Sequence, residues 1–188
     1  MRREKLWTMT KSETITFLAQ TFARVPEIAL ASAQMGRLGA FSGGHPYLLQ
    51  LLGDHLYRLV EEEFSPLAGE VVPVPDWVVD RAERRSLVEY KENVLDDVLR
   101  GVHPKTREYI ELAYSLRDHT GLIQTATLNE RLGKSARELS TRRASALNTQ
   151  VIRDAGRGNL RFALPHCEYL FEPYEYSESD VGDDDWEL

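Results

Sequence analysis

Gly43-Gly44-His45-Pro46-Tyr47-Leu48-Leu49-Gln50-Leu51-Leu52 is the stretch from which the rest of the chain is read. Two glycines end one helix, a proline opens the next, and an almost unbroken apolar run follows. Proline costs nothing at a first helical position, because its missing N–H is unpaired there in any residue, and glycine supplies the positive φ a tight reversal needs. The stretch therefore predicts a rigid helix–turn–helix corner. Backbone N–H groups at the start of the new helix are unspent, and helix N-termini favour anions.

Downstream, the helix from Pro46 to about Glu62 is apolar on two faces, Leu48, Leu52 and Leu59 on one and Leu49, Leu56 and Val60 on the other. A helix apolar over most of its circumference is the buried centre of a bundle. Upstream, Thr10-Lys11-Ser12-Glu13 fits a capping box, and Ile15, Leu18 and Phe22 fall on one face of the helix it starts. Pro26 interrupts, and Ile28, Ala31, Met35 and Leu38 predict a second helix that Gly43-Gly44 stops. Pro66, Gly69, Pro73 and Pro75 make residues 64–75 a connection, with Asp76 as N-cap of a linking helix that ends at Gly101.

From residue 102 the grammar changes. His103-Pro104 opens an amphipathic helix carrying Ile110, Ala113 and Tyr114, a short helix runs from about Thr127 to Leu132, and a third begins after Ser135 and reaches about Thr149. Val151-Ile152-Arg153 and Leu160-Arg161-Phe162-Ala163-Leu164 flank a glycine-rich turn and predict a β-hairpin. The expected fold is mainly α: a helical bundle over 1–63, a proline-rich connection and linking helix over 64–101, a second domain with a small β-hairpin over 102–171, and an acidic tail over 172–188, for which disorder is expected.

The formal net charge of -7 hides a segregation. Residues 1–100 hold 12 Lys and Arg against 15 Asp and Glu, residues 101–166 hold 11 against 6, and residues 167–188 hold none against 9. A basic middle block and an acidic end point to an anionic partner for the former. No apolar stretch reaches the roughly 20 residues of a membrane span, and the N-terminus lacks a signal peptide's apolar core, so a cytoplasmic location is expected. The single cysteine, Cys167, excludes an internal disulfide and a cysteine-rich metal site, and its expected role is packing. His45, Asp54 and His55 hint at a metal or proton relay, but His55 sits on the apolar stripe of a buried helix, where a hydrogen-bonded core role is expected and no metal.

The corner at Gly44-His45-Pro46 resembles the Gly-x-Pro element in the helical lid of signal-transducing AAA+ type NTPases of the STAND class and of the related archaeal-type ATPases. The resemblance implies a nucleotide contact by Gly44, His45, Pro46 and Tyr47, with Pro46 against adenine and the Tyr47 and Leu48 amides near phosphates. The alternative is a turn whose glycine, proline and capping His45 serve geometry alone. The chain has no Gly-x-x-x-x-Gly-Lys-Ser/Thr loop and no paired acids after a strand to hold Mg²⁺, so no catalysis is expected from it alone. ATP or ADP would bind only with a P-loop core supplied in cis or in trans.

Residues 102–171 are similar to a winged helix–turn–helix domain in order, lengths and turn chemistry. Projected at 100° per residue, the third helix turns Leu139, Ala146 and Leu147 inward and Arg137, Thr141, Ala144, Ser145 and Asn148 outward. In a major groove of double-stranded DNA, Arg137, Thr141 and Asn148 would reach base edges and Ser140 and Arg142 phosphates, with Arg157 and Arg161 of the hairpin on the backbone or minor groove. Arg143 falls on the apolar side, where it snorkels or pairs with a carboxylate. Winged helices in such ATPases also serve as packing or regulatory modules. The expected function is the regulatory C-terminal part of an AAA+/STAND-type ATPase. The alternative is a stand-alone winged-helix transcriptional regulator with an N-terminal dimerisation or sensing bundle.

Overall fold

The computed structural model describes residues 8–67 and 69–171. The chain is mainly helical with a small antiparallel sheet, and it divides into two compact units at Lys91/Glu92. The tail over 172–188 lies outside the described residues.

In the first unit, α1 (Lys11–Phe22) starts at the expected capping box: the Thr10 hydroxyl accepts the Glu13 amide and Glu13 Oε2 accepts the Thr10 amide at 2.7 Å. Thr14, Leu18 and Phe22 form its buried face, while Ile15, expected inward, is exposed. Ile28, read as the start of a helix from its spacing, instead lies in β1 (Ile28–Ala29), ahead of α2 (Ser32–Ser42). α3 (Pro46–Phe64) is the centre of the unit, and its six leucines and valines named above are all at most 1% exposed.

The proline-rich segment is more than a connection. It supplies β2 (Val72–Pro73), which pairs parallel with β1, and it sends Val72 and Val74 into the core. Gln34 of α2 fixes it there, donating from Nε2 to the Val74 carbonyl at 2.9 Å and to Asp76 Oδ1 at 2.7 Å. Asp76 therefore acts as acceptor for Gln34 while Pro75 is the N-cap of α4 (Asp76–Tyr90). α4 is not a free linking helix, because Val78, Val79 and Ala82 are completely buried in the same core as α3. Arg37 of α2 reaches both Glu83 and Asp80 of α4 and ties the two together.

A π-helical turn (Lys91–Leu95) and α5 (Asp96–Val98) lead into the second unit's α6 (Pro104–Ser115), β3 (Leu122–Gln124), α7 (Thr125–Arg131), α8 (Ala136–Asn148), β4 (Ile152–Gly156) and β5 (Asn159–Phe162). The three helices and the β-ribbon expected over 104–164 are present, with β3 as an addition. The sheet is antiparallel in the order β3-β5-β4. Tyr109, Ile110 and Ala113 of α6 meet Ala146 of α8 and Ile123, Ile152 and Leu160 of the sheet in one apolar core. A 3₁₀ turn (Cys167–Leu170) closes over it, with the Phe171 ring 4.6 Å from Tyr114 and 6.1 Å from Phe162. Burial pushes the Cys167 thiol up to about 11, which suits packing and not reactivity.

Candidate functional site

In the first unit the Gly43–Pro46 corner is closed by its own backbone. Gly43 and Gly44 take φ of 54° and 73°, His45 donates its amide to the Ser42 carbonyl at 2.9 Å, and Gly44 donates to Ser42 Oγ at 3.2 Å. Gly44 is also pressed against the segment before α1: its carbonyl accepts the Met9 amide at 2.9 Å, and a Cβ there would stand 2.2 Å from the Met9 carbonyl oxygen. Glycine is demanded twice, by φ and by space.

His45 is the N-cap residue of α3, its carbonyl accepting the Leu49 amide at 3.0 Å, but its ring makes no hydrogen bond to the helix start. It packs edge-on against Tyr90 at 5.2 Å with Nδ1 buried, and burial holds its pKa below the ordinary value. Pro46 occupies the first turn of α3 as expected, and the Tyr47 ring lies tilted 6.5 Å from Tyr90. Beside Tyr47 runs an open groove lined also by Phe17, Thr21, Gln50, Asp54 and Glu89, a set with two carboxylates and no cation. Such a surface does not attract phosphates. His55 Nε2 meets Glu89 Oε2 at 3.1 Å and Asp54 pairs with Arg58, so these residues are drawn to separate partners, as the core reading of His55 expects.

In the second unit, α7 and α8 are joined by a turn at Gly133, φ 61°. Ser135 and Glu138 form a reciprocal capping box at the start of α8, which holds the Glu138 carboxyl below its usual range. The box takes up the Ser135 and Glu138 amides and sets a carboxylate at the start of α8, so an anion approaching here meets a negative charge.

Along α8, Arg137, Thr141, Ala144 and Asn148 are all exposed, one ridge at spacings of 4, 3 and 4, while Leu139 and Ala146 are buried. Ser140 is exposed on the flank and donates its hydroxyl to the Arg137 carbonyl at 2.8 Å. Arg142 departs from its expected role. Its side chain is only 16% exposed and reaches Glu108 of α6 at 3.5 Å, which makes it a brace between helices and not a phosphate contact.

Arg143 pairs with Asp154 of β4, the carboxylate partner expected for it. The pair ties β4 to the helix that precedes it in the chain. Asp154 also accepts the Gly156 amide at 2.7 Å and so shapes the turn Gly156-Arg157-Gly158. The two bonds hold its carboxyl below the usual range, the Gly156 amide contributing most.

Arg157 is exposed at the tip of the hairpin, φ 52°. Arg161 on central β5 is half-buried, donates Nη2 to the Thr120 carbonyl at 3.3 Å and has its Nε covered, so it is partly spent on the β3 loop. Directly across from it in register is Arg153 of β4. Like charges in opposed positions destabilise a sheet unless an anion offsets them.

Sequence reasoning missed Arg131 at the end of α7, Lys134 in the α7–α8 turn and Arg153, the last of which lies with Arg161 on the sheet face opposite Ile152, Leu160 and α8. Their common signal is lack of a partner. Arg131, Lys134, Arg137, Arg153 and Arg157 are exposed and make no ion pair among the described residues, whereas Arg100, Arg107, Arg142 and Arg143 of the same unit each hold a carboxylate.

Residues 92–170 are similar to a described family, a domain of unknown function (DUF8462). The matched span begins where the second unit begins. No curated protein and no solved structure matches the chain.

Proposed function

We propose that the second unit is a winged-helix module that binds duplex DNA, with α8 in the major groove and the β4–β5 turn on the adjacent backbone. The observation that carries this reading is the set of exposed cations without carboxylates among the described residues at the α7–α8 turn, the first turn of α8 and the hairpin tip, beside a helix whose Arg142 and Arg143 are paired. Unneutralised cations beside an exposed ridge of Arg137, Thr141 and Asn148 combine sequence-independent phosphate attraction with side chains able to contact base edges.

The first unit is read as a lid-type bundle that works beside a P-loop core supplied in cis or in trans. The support is the corner of Gly44 and Pro46 and the exposed apolar and acidic groove next to Tyr47, which suits a base more than a triphosphate. On this reading the protein is regulatory, performs no catalysis alone and works in the cytoplasm. No helix among the described residues is long and apolar enough to cross a membrane.

The test is a titration of the isotope-labelled chain with a short random-sequence duplex, followed by amide chemical shifts. Shifts concentrated at Lys134, Arg137, Thr141, Asn148 and Arg157 are expected. Shifts confined to the first unit, or none at low salt, refute the assignment.

A further inference from the structure

We propose that the groove between α1, α3 and the end of α4 is a docking site for an arginine side chain presented by a partner protein, with the guanidinium held at Asp54 and Glu89 and its stem passing over Gly53. This goes beyond the nucleotide reading of the Gly44–Pro46 corner and does not rest on it.

The floor of the groove is α3. Tyr47, Gln50, Leu51 and Asp54 follow one stripe of that helix, and Gly53 lies beside them. Gly53 has no structural demand on it: it sits inside the helix without a positive φ, and a Cβ built on it meets nothing within 4 Å. Neither a turn nor a close approach by the chain itself accounts for a residue that weakens a helix relative to alanine. Gly39 of α2, by contrast, would bring a Cβ to 3.3 Å from the Thr14 methyl. Gly36 of α2 is as open as Gly53, and what sets Gly53 apart is its place in a groove of about 460 Å³. An open glycine there leaves the helix backbone accessible to a group the chain does not itself supply.

The walls give the chemistry of that group. Phe17 of α1, 39% exposed, and Tyr47 contribute aromatic rings, and Asp54 and Glu89 contribute carboxylates. Both carboxylates act on the His55 ring, so they serve the same end of the groove. Burial holds His55 below its ordinary pKa, and at neutral pH the uncharged ring leaves the Glu89 charge in place although Nε2 stands 3.1 Å from Oε2. Asp54 pairs with Arg58 at 3.0 Å, but the two side chains are 47% and 60% exposed, and a surface pair of this kind is weak enough to exchange for a better-covered cation. Carboxylates beside aromatic rings suit a guanidinium above all, because its plane lies on a ring while its N–H groups bond the carboxylates.

The groove is open to solvent, which decides what carries the guanidinium. A free small molecule is held where most of its surface is covered, whereas a side chain anchored on a larger body has its other side covered by that body. The occupant is therefore an arginine of a partner protein.

The experiment titrates the isotope-labelled full chain with an acetylated pentapeptide bearing arginine between glycines, and with its counterpart bearing citrulline, the uncharged isostere. Saturable amide shifts at Gln50, Gly53 and Asp54 are expected for the arginine peptide with a Kd of about 1 mM, and binding about tenfold weaker for the citrulline peptide. Glu89→Gln is expected to weaken the arginine peptide about tenfold, and Gly53→Leu to abolish its shifts without lowering Tm. Should Gly53→Leu lower Tm, Gly53→Ala, which adds a single methyl to the floor, is the deciding variant, with weakened binding expected. Equal binding of the two peptides, binding indifferent to the Gly53 and Glu89 variants, or no saturable shift at Gln50, Gly53 and Asp54 overturns the proposal. So do shifts at Gly53 and Asp54 that appear with ADP and not with the arginine peptide.

Discussion

Arg143 of α8 and Asp154 of β4 form an ion pair, and the same Asp154 carboxylate accepts the Gly156 amide at 2.7 Å. One side chain therefore joins the hairpin to α8 and shapes its tip. Asp154→Ala is expected to leave the unit folded, since the residue is exposed, but to free the tip. The measurement is amide hydrogen exchange, with faster exchange at Gly156 and unchanged protection at buried Ile123 and Leu160. Unchanged exchange at Gly156 contradicts the role given to the carboxylate.

Two glycines of the first unit should respond oppositely to alanine. At Gly44 the added methyl meets the Met9 carbonyl oxygen at 2.2 Å in a backbone with φ 73°, so Gly44→Ala is expected to cost about 2 kcal/mol or more in chemical denaturation. Gly53, inside α3, has nothing within 4 Å of a Cβ, and Gly53→Ala should stabilise by about 0.5–1 kcal/mol. Equal effects would show that the corner is not held as described.

Burial lowers the pKa of both His45 and His55, with Glu89 opposing the shift at His55. Groups held neutral in the fold take up protons more readily when unfolded. The stability they carry is complete above about pH 6.5 and is lost as the pH falls from there through the lower folded-state values. Thermal melts should therefore show a falling Tm between about pH 7 and about pH 5.5, and His45→Phe, which keeps an aromatic ring against Tyr90, should flatten the dependence. A Tm independent of pH over that window, or an undiminished slope in the variant, counts against it.

Arg137 and Arg142 lie five residues apart on α8 and should behave differently. Arg142 braces α8 to Glu108 and is largely covered, whereas Arg137 is exposed and unpaired among the described residues. Arg142→Ala is expected to lower Tm, and Arg137→Ala to leave Tm within error while weakening duplex binding. The reverse pattern would reassign the two.

Elements whose signals are local were legible in the sequence. The Thr10/Glu13 box, the doubly apolar α3, the Gly133 break between α7 and α8 and the hairpin all rest on residues a few positions apart. β1, β2 and β3 were not, because strands of two or three residues have no periodicity, and Ile28 fits a helical spacing as well as a strand. The outward ridge of α8 followed from helical geometry, but the loss of Arg142 to Glu108 depends on a contact 34 residues away. The unpaired state of Arg131, Lys134 and Arg153 depends on where every carboxylate of the unit comes to rest, which only the fold decides.

Duplex binding by the second unit is tested most directly by the slope of log affinity against log salt, measured for the full chain and for Lys134→Ala/Arg157→Ala. Each phosphate contact contributes about 0.9 to the magnitude of that slope. The expected result is steep salt dependence in the wild type and a slope shallower by about 2 in the double variant. Salt-insensitive binding, or identical slopes in the two proteins, contradicts the assignment of this face to nucleic acid.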